Sequence, residues 1–324
     1  MVRLSEWLIE TVSTPCTLQD AGRQHSLRLG LSPGGAVDPP AYRLGQRLVG
    51  NSKDEAALET CYGSIALTAD GPCTVAVTGP DTPVLVDGDN IGINRGFQLE
   101  AGQRLELPPP SRGVYHYIAV KDGFDVPAVF GSHSTVVREG LGGLAGRALV
   151  AGDRLILRTG SPAPLLCYPT VSRRDESRIL TLRFIPCFQF DQFPEATRRL
   201  FNTGSFSVTA SANRMGIKLS GDPLITGIEK LYSETTCLGA IQIPPEGNPI
   251  VLLNDRQTVG GYPKAGAVIS SDCVRLAQAR PGQQVRFQPV TETEADRIRW
   301  LNDNFERERM LKPVTTPGQT IAHD

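Results

Sequence analysis

The chain has 324 residues, 40% of them apolar, with 33 glycines, 25 prolines and a formal net charge of -1. That length suits two domains with real cores, and the balanced charge excludes a nucleic-acid footprint or a charged membrane-binding patch. No apolar run reaches about 18 residues, so no transmembrane helix is expected, and the opening MVRLSEWLIE carries Glu6 and Glu10 where a signal peptide needs a continuous apolar core.

Glycine and proline at this density favour short strands and many turns over long helices. In chain order, the first helical pattern is Pro40–Val49, with Tyr42, Leu44 and Leu48 spaced for one face and Asp38 placed to cap it. Short runs rich in β-branched and apolar residues then predict strands at Thr74–Thr78, Val84–Val86, Arg104–Leu107, Tyr115–Val120 and Leu155–Leu157. After residue 178 come strands at Ile179–Phe184, Ile250–Leu253 and Val285–Phe287, and a helix at Phe193–Phe201. The strongest helix is Thr291–Leu311, acidic at its start, basic later, with Ile298, Leu301 and Phe305 on one face.

Three similar turns, AGQRLEL (101–107), AGDRLIL (151–157) and PGQQVRF (281–287), each precede a short strand. Two of them close the halves of the chain, and Thr159–Arg178, rich in proline, serine and charge, reads as a linker. The fold class is therefore mainly β. Two β-rich domains span 1–160 and 175–290, a C-terminal helix covers 291–312, and 313–324 is a tail expected to be disordered.

The seven cysteines are odd in number, with no C-x-x-C pair, and no histidine stands at zinc-ligand spacing. They read as reduced thiols in a cytoplasmic protein, without a metal site. There is neither a Walker A sequence nor a G-x-G-x-x-G fingerprint.

Three segments carry concentrated chemistry. QDAGRQHSLRLGLSPGGAVDPPA (19–41) is a glycine-rich loop running into a capped helix, able to present backbone N–H groups at Gly34 and Gly35. On composition alone it reads first as a structural loop ending in the Asp38 cap. SANRMGIKLSGDPL (211–224) offers Asn213, Arg214 and Met215 ahead of a short alternating strand; Arg214 is able to fork onto a carboxylate or phosphate, but as a lone arginine it reads first as a surface ion pair. NDRQTVGGYPKAG (254–266) sets Asp255, Gln257, Thr258, Gly260, Gly261, Tyr262 and Lys264 between two strands. As residues alone, it reads equally as a turn tip or a site. His133, flanked by serines in GSHS (131–134), reads as a hydrogen-bonded strand-end histidine before a catalytic base. Cys237 is a nucleophile only with a lowered pKa.

Together, QDAGRQHSLRLGLSPGGAVD, SANRMGIKLSGDPL and AIQIPPEGNPIVLLNDRQTVGGYPKAG resemble the biotin-dependent carboxyltransferase family. This is also called the allophanate hydrolase subunit 2 or urea amidolyase-related family; its stand-alone members include the C-type subunit of 5-oxoprolinase, to which the resemblance is strongest. It implies a cyclophilin-like β-barrel, clearer in the second half. It also implies a heteromer with an allophanate hydrolase subunit 1-like protein and a LamB/YcsF-like subunit, opening the lactam of 5-oxoproline to L-glutamate with ATP used by the complex. The implied site takes Arg214, Asp255 and Lys264 as catalytic residues. Arg214 meets a carboxylate or phosphate, Asp255 acts as base or orienter, and Lys264 balances negative charge. Asn213, Met215, Gln257, Thr258, Gly260, Gly261, Tyr262, Gly34, Gly35 and Asp38 bind substrate, with the paired glycines supplying oxyanion donors. The three methionines, Met1, Met215 and Met310, flank no biotinyl-lysine motif, so no covalent biotin is expected on this chain. The family leaves two rival roles: biotin-dependent carboxyl transfer to a urea-like amide, and non-catalytic regulation of a sporulation kinase inhibitor.

Overall fold

In a computed structural model, the structure describes residues 5–51, 55–158, 163–168, 179–228, 231–308 and 310–314. Strands of the first half are β1 (Glu6–Val12), β2 (Cys16–Gln19), β3 (Ala57–Cys61), β4 (Ile65–Ala69), β5 (Cys73–Thr78), β6 (Leu85–Val86), β7 (Asp89–Asn90), β8 (Arg95–Leu99), β9 (Arg104–Leu107), β10 (Tyr115–Val120), β11 (Arg154–Ile156) and β12 (Leu166–Cys167). The second half supplies β13 (Ile179–Pro186), β14 (Phe206–Val208), β15 (Gly216–Ser220), β16 (Glu234–Thr235), β17 (Ala240–Gln242), β18 (Ile250–Leu252), β19 (Val259–Gly260), β20 (Lys264–Val268) and β21 (Gln284–Pro289), and β22 (Lys312–Pro313) follows. The helices are α1 (Pro39–Leu48), α2 (Phe188–Asp191), α3 (Glu195–Thr203), α4 (Ser270–Ala277) and α5 (Glu292–Glu308).

The strands sort into two β-rich domains. In the first, one sheet runs β11-β1-β4-β9-β6-β7 and the other β2-β3-β10-β5-β8-β12-β22. Trp7, Leu18, Leu58, Leu67, Val75, Ile118 and Phe124 fill the space between them. The second sheet is buried on both faces, since α1 covers its far side with Tyr42 and Leu48 against Tyr117 and Ala119. That is why YHYIAV is a continuous buried run with no polar alternation.

The second domain is a closed barrel in the order β13-β20-β17-β18-β15-β14-β21. The parallel pair β13–β21 seals it, Ile179 opposite Gln284 through Phe184 opposite Pro289. Closure removes free sheet edges. Phe184, Phe190, Phe201, Phe206 and Phe287 pack together, with Phe201 and Phe287 stacked at 4.4 Å and 13°. The three recurrent turns share one hydrogen bond, from Gln103, Asp153 and Gln283 N–H back to the carbonyls of Glu100, Val150 and Arg280. Each is thus a local β-turn.

Several expectations change. The Thr159–Arg178 linker contains β12, which pairs with β8 on one side and β22 on the other, so its middle is part of the sheet; residues 159–162 and 169–178, where the domain junction was expected, lie outside the described residues. Of the tail expected at 313–324, Pro313 and Val314 are ordered by that pairing, with Val314 N–H donating to Leu165 O at 2.9 Å; residues 315–324 lie outside the described residues. The helix expected at Phe193–Phe201 begins at Glu195, behind Pro194, and α2 stands separately before it. In α5 the Leu301 and Phe305 face stays half exposed. No helix among the described residues is long and apolar enough to cross a membrane. All seven cysteines are free thiols.

Candidate functional site

The three segments singled out by composition meet at the contact between the domains. The 20–36 loop is built on Asp20, whose carboxylate accepts from Ser132 Oγ (2.7 Å), Ser134 Oγ (2.5 Å), His133 N–H (2.6 Å) and Gly22 N–H (2.8 Å). The GSHS segment is thereby a support for the loop. The His133 ring lies 3.1 Å from Arg158 through Nε2. Gly34 and Gly35 take φ of 64° and 86°, and a Cβ on Gly35 would stand 3.0 Å from the Gly22 backbone, so glycine is required at this turn.

Arg214 joins the loops. Its Nε and Nη2 donate to Asp255 at 2.8 Å each, Nη1 donates to Glu59, and Nη2 also reaches Gly35 O at 2.9 Å and Gln19 Oε1 at 3.3 Å. Glu59 Oε2 in turn accepts from Val37 N–H (2.9 Å) and Tyr117 OH (2.7 Å), and Tyr117 OH accepts from Asp38 N–H (2.8 Å). Burial opposes the Arg214 charge, but the carboxylates of Asp255 and Glu59 more than offset it and hold the guanidinium pKa well above its ordinary value. Burial, with Glu59 alongside, pushes the Tyr117 phenol well up.

This geometry changes the reading of several residues. Arg214 is a tie between domains, and a substrate carboxylate would have to displace Asp255 or Glu59 from it. Both Asp255 oxygens face the Arg214 fork, which makes Asp255 an orienter of that arginine. Asp38 caps α1 through Ala41 N–H at 3.0 Å and accepts from Gln278 Nε2 at 2.8 Å. Asn213 Oδ1 accepts Met215 N–H at 2.8 Å, a local turn that aims Arg214, while Met215 O accepts Leu253 N–H at 2.9 Å. The sequence reading missed Asn254, whose amide reaches Gly34 O, Gly35 O and Ala36 O at 3.0 to 3.2 Å. It also missed Glu59, which sits buried in the short strand ALETC with no local signal, and Arg256, buried with Nε unpartnered among the described residues and Nη1 on Leu253 O at 3.2 Å.

The rest of the 254–266 loop turns away to the barrel end. Thr258 Oγ1 approaches Gly30 O at 3.5 Å. Val259 and Gly260 pair with Thr235 and Glu234 in a separate two-stranded ribbon. Gln257 O accepts Thr236 Oγ1 beside it. Gly261, Tyr262 and Pro263 line a cavity of about 970 Å³ with Leu224, Leu231, Tyr232 and Ile243. Lys264 then enters β20, its Nζ paired with Glu234 and its N–H held by Gln189 Oε1 at 2.8 Å. Gln189 Nε2 donates to the same Glu234 at 3.2 Å. The predicted residues thus divide between an interdomain arginine hub and a polar cluster at the barrel end. Among the described residues, no group of three or more His, Cys, Asp or Glu is placed to hold a metal ion.

A mainly β chain of two domains, a closed barrel tied by a buried arginine hub to a glycine loop, is the setting in which the family match falls. The model of the carboxyltransferase domain, subdomain A and B, matches residues 29–289, and the chain belongs to that family. It is similar to the C-type subunit of 5-oxoprolinase from Escherichia coli (35% identical over 87% of this chain and 91% of that one) and from Haemophilus influenzae (33%, 91% and 94%). It is also similar to urea amidolyase of Saccharomyces cerevisiae (26%, 85% of this chain and 16% of that one). Among solved structures, TTHA0988 superposes with a TM-score of 0.78 at 34% identity, covering 88% of this chain, which spans 56% of that one. The urea amidolyase of K. lactis shares the fold, with a TM-score of 0.84 at 22% identity over 98% of this chain and 20% of that one.

Proposed function

We propose that the chain is a component of a 5-oxoprolinase, acting on the lactam of 5-oxoproline with an allophanate hydrolase subunit 1-like partner and a LamB/YcsF-like subunit. The observation that carries this reading is the 35% identity extending over 91% of the Escherichia coli 5-oxoprolinase chain, against 16% of the length of the yeast urea amidolyase. The closed seven-stranded barrel supports a cyclophilin-like second domain.

Within this reading, the arginine hub is positioning machinery. Arg214, Asp255, Glu59 and Asn254 hold the Gly34–Gly35 turn against the Asn254–Gln257 segment. The chemistry lies toward Lys264 and the glycine pair, where an ammonium and backbone N–H groups stabilise the oxygen of a tetrahedral intermediate. Gln257, Thr258 and Tyr262 orient the amide.

ATP, which the resemblance implies for the complex, does not fit the residues here. The described lining of the large cavity carries no charged side chain, and the single ammonium of Lys264, shared with Glu234, is too little charge to balance a triphosphate there. No step at this end of the barrel is routed through ATP.

The test is co-expression of the three chains and an assay for glutamate released from 5-oxoproline on ATP addition. ATP-dependent release that vanishes when this chain is omitted is the expected result. The second reading, carboxyl transfer, is favoured by the name of the matching family. Biotin binding and bicarbonate-dependent activity on a urea-like amide, without glutamate release, would replace the first reading with it.

A further inference from the structure

We propose that Gln242 and Lys264 of the barrel, together with Glu234 of the β16–β19 ribbon, form the seat of a neutral amide or ureido group whose carbonyl oxygen accepts from Gln242 Nε2. Gln242 is 1% exposed, and its amide nitrogen is buried without an acceptor among the described residues. The other deeply buried glutamines are served. Gln19 Nε2 donates to Thr17 Oγ1 and Thr135 O at 2.9 Å each, and Gln189 Nε2 donates to Glu234. A buried donor without an acceptor is costly, so Gln242 is a donor awaiting a partner.

Four relationships converge on that donor. Gln242 stands opposite Lys264 across β17 and β20. Lys264 Nζ pairs with Glu234, and Glu234 stands opposite Gly260 in the ribbon. A Cβ on Gly260 would lie 2.4 Å from Gln242 Nε2 and 3.4 Å from Gln257 Nε2, so glycine at 260 keeps the ribbon down on the amide without displacing it. Lysine and glutamate cancel in charge, which favours a neutral ligand over an anion. The glutamate offers an acceptor for an N–H group while Gln242 offers the donor for a C=O, and one amide edge presents both.

The approach is also present. Ile243 and Gly261, the residues that follow Gln242 and Gly260, line the cavity of about 970 Å³, whose Leu224, Leu231 and Tyr262 suit a small ring. The ribbon has only two residue pairs and lies outside the barrel ladder, so displacing it to admit a ligand would break no barrel pairing.

The probes rest on the lactam reading; the geometry does not. In the co-expressed complex, Gln242→Met keeps the side-chain length and removes the donor. The expected result is a KM for 5-oxoproline raised about tenfold or more, with a melting temperature equal to or above wild type, since an unsatisfied donor has been removed. Gly260→Ala, which pushes the amide aside, is expected to raise KM similarly. An unchanged KM in both variants overturns the inference, as does a fall in melting temperature for Gln242→Met without a change in KM. If wild type releases no glutamate, calorimetry with urea and 2-imidazolidinone separates the two proposals. Binding to wild type that Gln242→Met abolishes sustains this seat while the lactam reading falls; no binding of either probe to wild type overturns it.

Discussion

Arg214, in the second domain, is ion-paired with Glu59, in the first, with their side chains only 14% and 1% exposed. The pair is separated by 155 residues in sequence. It fastens the start of the barrel strand β15 to the middle of the sheet strand β3, and through Tyr117 to the cap of α1. Removing one member leaves the other charge buried and unpaired. Glu59→Gln or Arg214→Met should therefore cost about 3–5 kcal/mol, read as a lower midpoint in denaturant unfolding. Arg214→Lys should rescue little, because one ammonium cannot span Asp255, Glu59 and Gly35 O. A wild-type midpoint in Arg214→Lys would refute the fork's role.

Asn254 tests the same contact from the other side. Its amide nitrogen faces three backbone carbonyls, those of Gly34, Gly35 and Ala36. Asn254→Asp keeps the shape but turns an acceptor toward acceptors. It should lose about 1–3 kcal/mol and make amide exchange in residues 30–36 faster. Unchanged exchange in that turn would show that the loop is held elsewhere.

His116 gives a pH test. It is fully buried, with Nε2 2.8 Å from Pro80 O, and burial lowers its pKa to about 4. The unfolded chain, with an ordinary histidine pKa near 6.5, binds a proton that the folded chain refuses. Stability is therefore present above pH 6.5, is lost as pH falls toward 4, and changes no further below that. The loss between pH 7 and pH 5 should be about 2 kcal/mol. His116→Gln should remove that component of the slope in urea unfolding at the two pH values; an identical slope would assign it to other groups.

Lys264 separates the barrel-end cluster from the hub. Lys264→Met should lower kcat of the co-expressed complex about a hundredfold, with little loss of stability, because its Glu234 partner is more than a third exposed. Full activity in this variant would move the chemistry away from the barrel end.

Much of the fold was legible in local pattern. β5, β9, β10 and β13 fall where β-branched and apolar runs predict them, and α1 and α5 follow their capping and periodicity. β1 and β3 escaped notice because EWLIETV and ALETC mix charge with apolar residues, and Glu59 is charged yet 2% exposed. α4 escaped because SSDCVRLA opens with turn-like serines, while Asp272 is engaged by Arg183 at 2.6 Å instead of serving as a cap.

The sequence by itself determined a mainly β chain in two parts, three chemistry-bearing segments and the family they resemble, because hydrophobic period, turn chemistry and contiguous motifs are local properties. Only the tertiary structure decided what those segments do to one another. It set Arg214, read as a clamp, and Asp255, read as base or orienter, in a buried tie, brought Asn254 onto a loop some 220 residues away, and left Gln242 as a donor with no acceptor among the described residues. Those facts depend on which strands pair across the chain and on which polar groups burial strands without a partner, and no local run of residues encodes either.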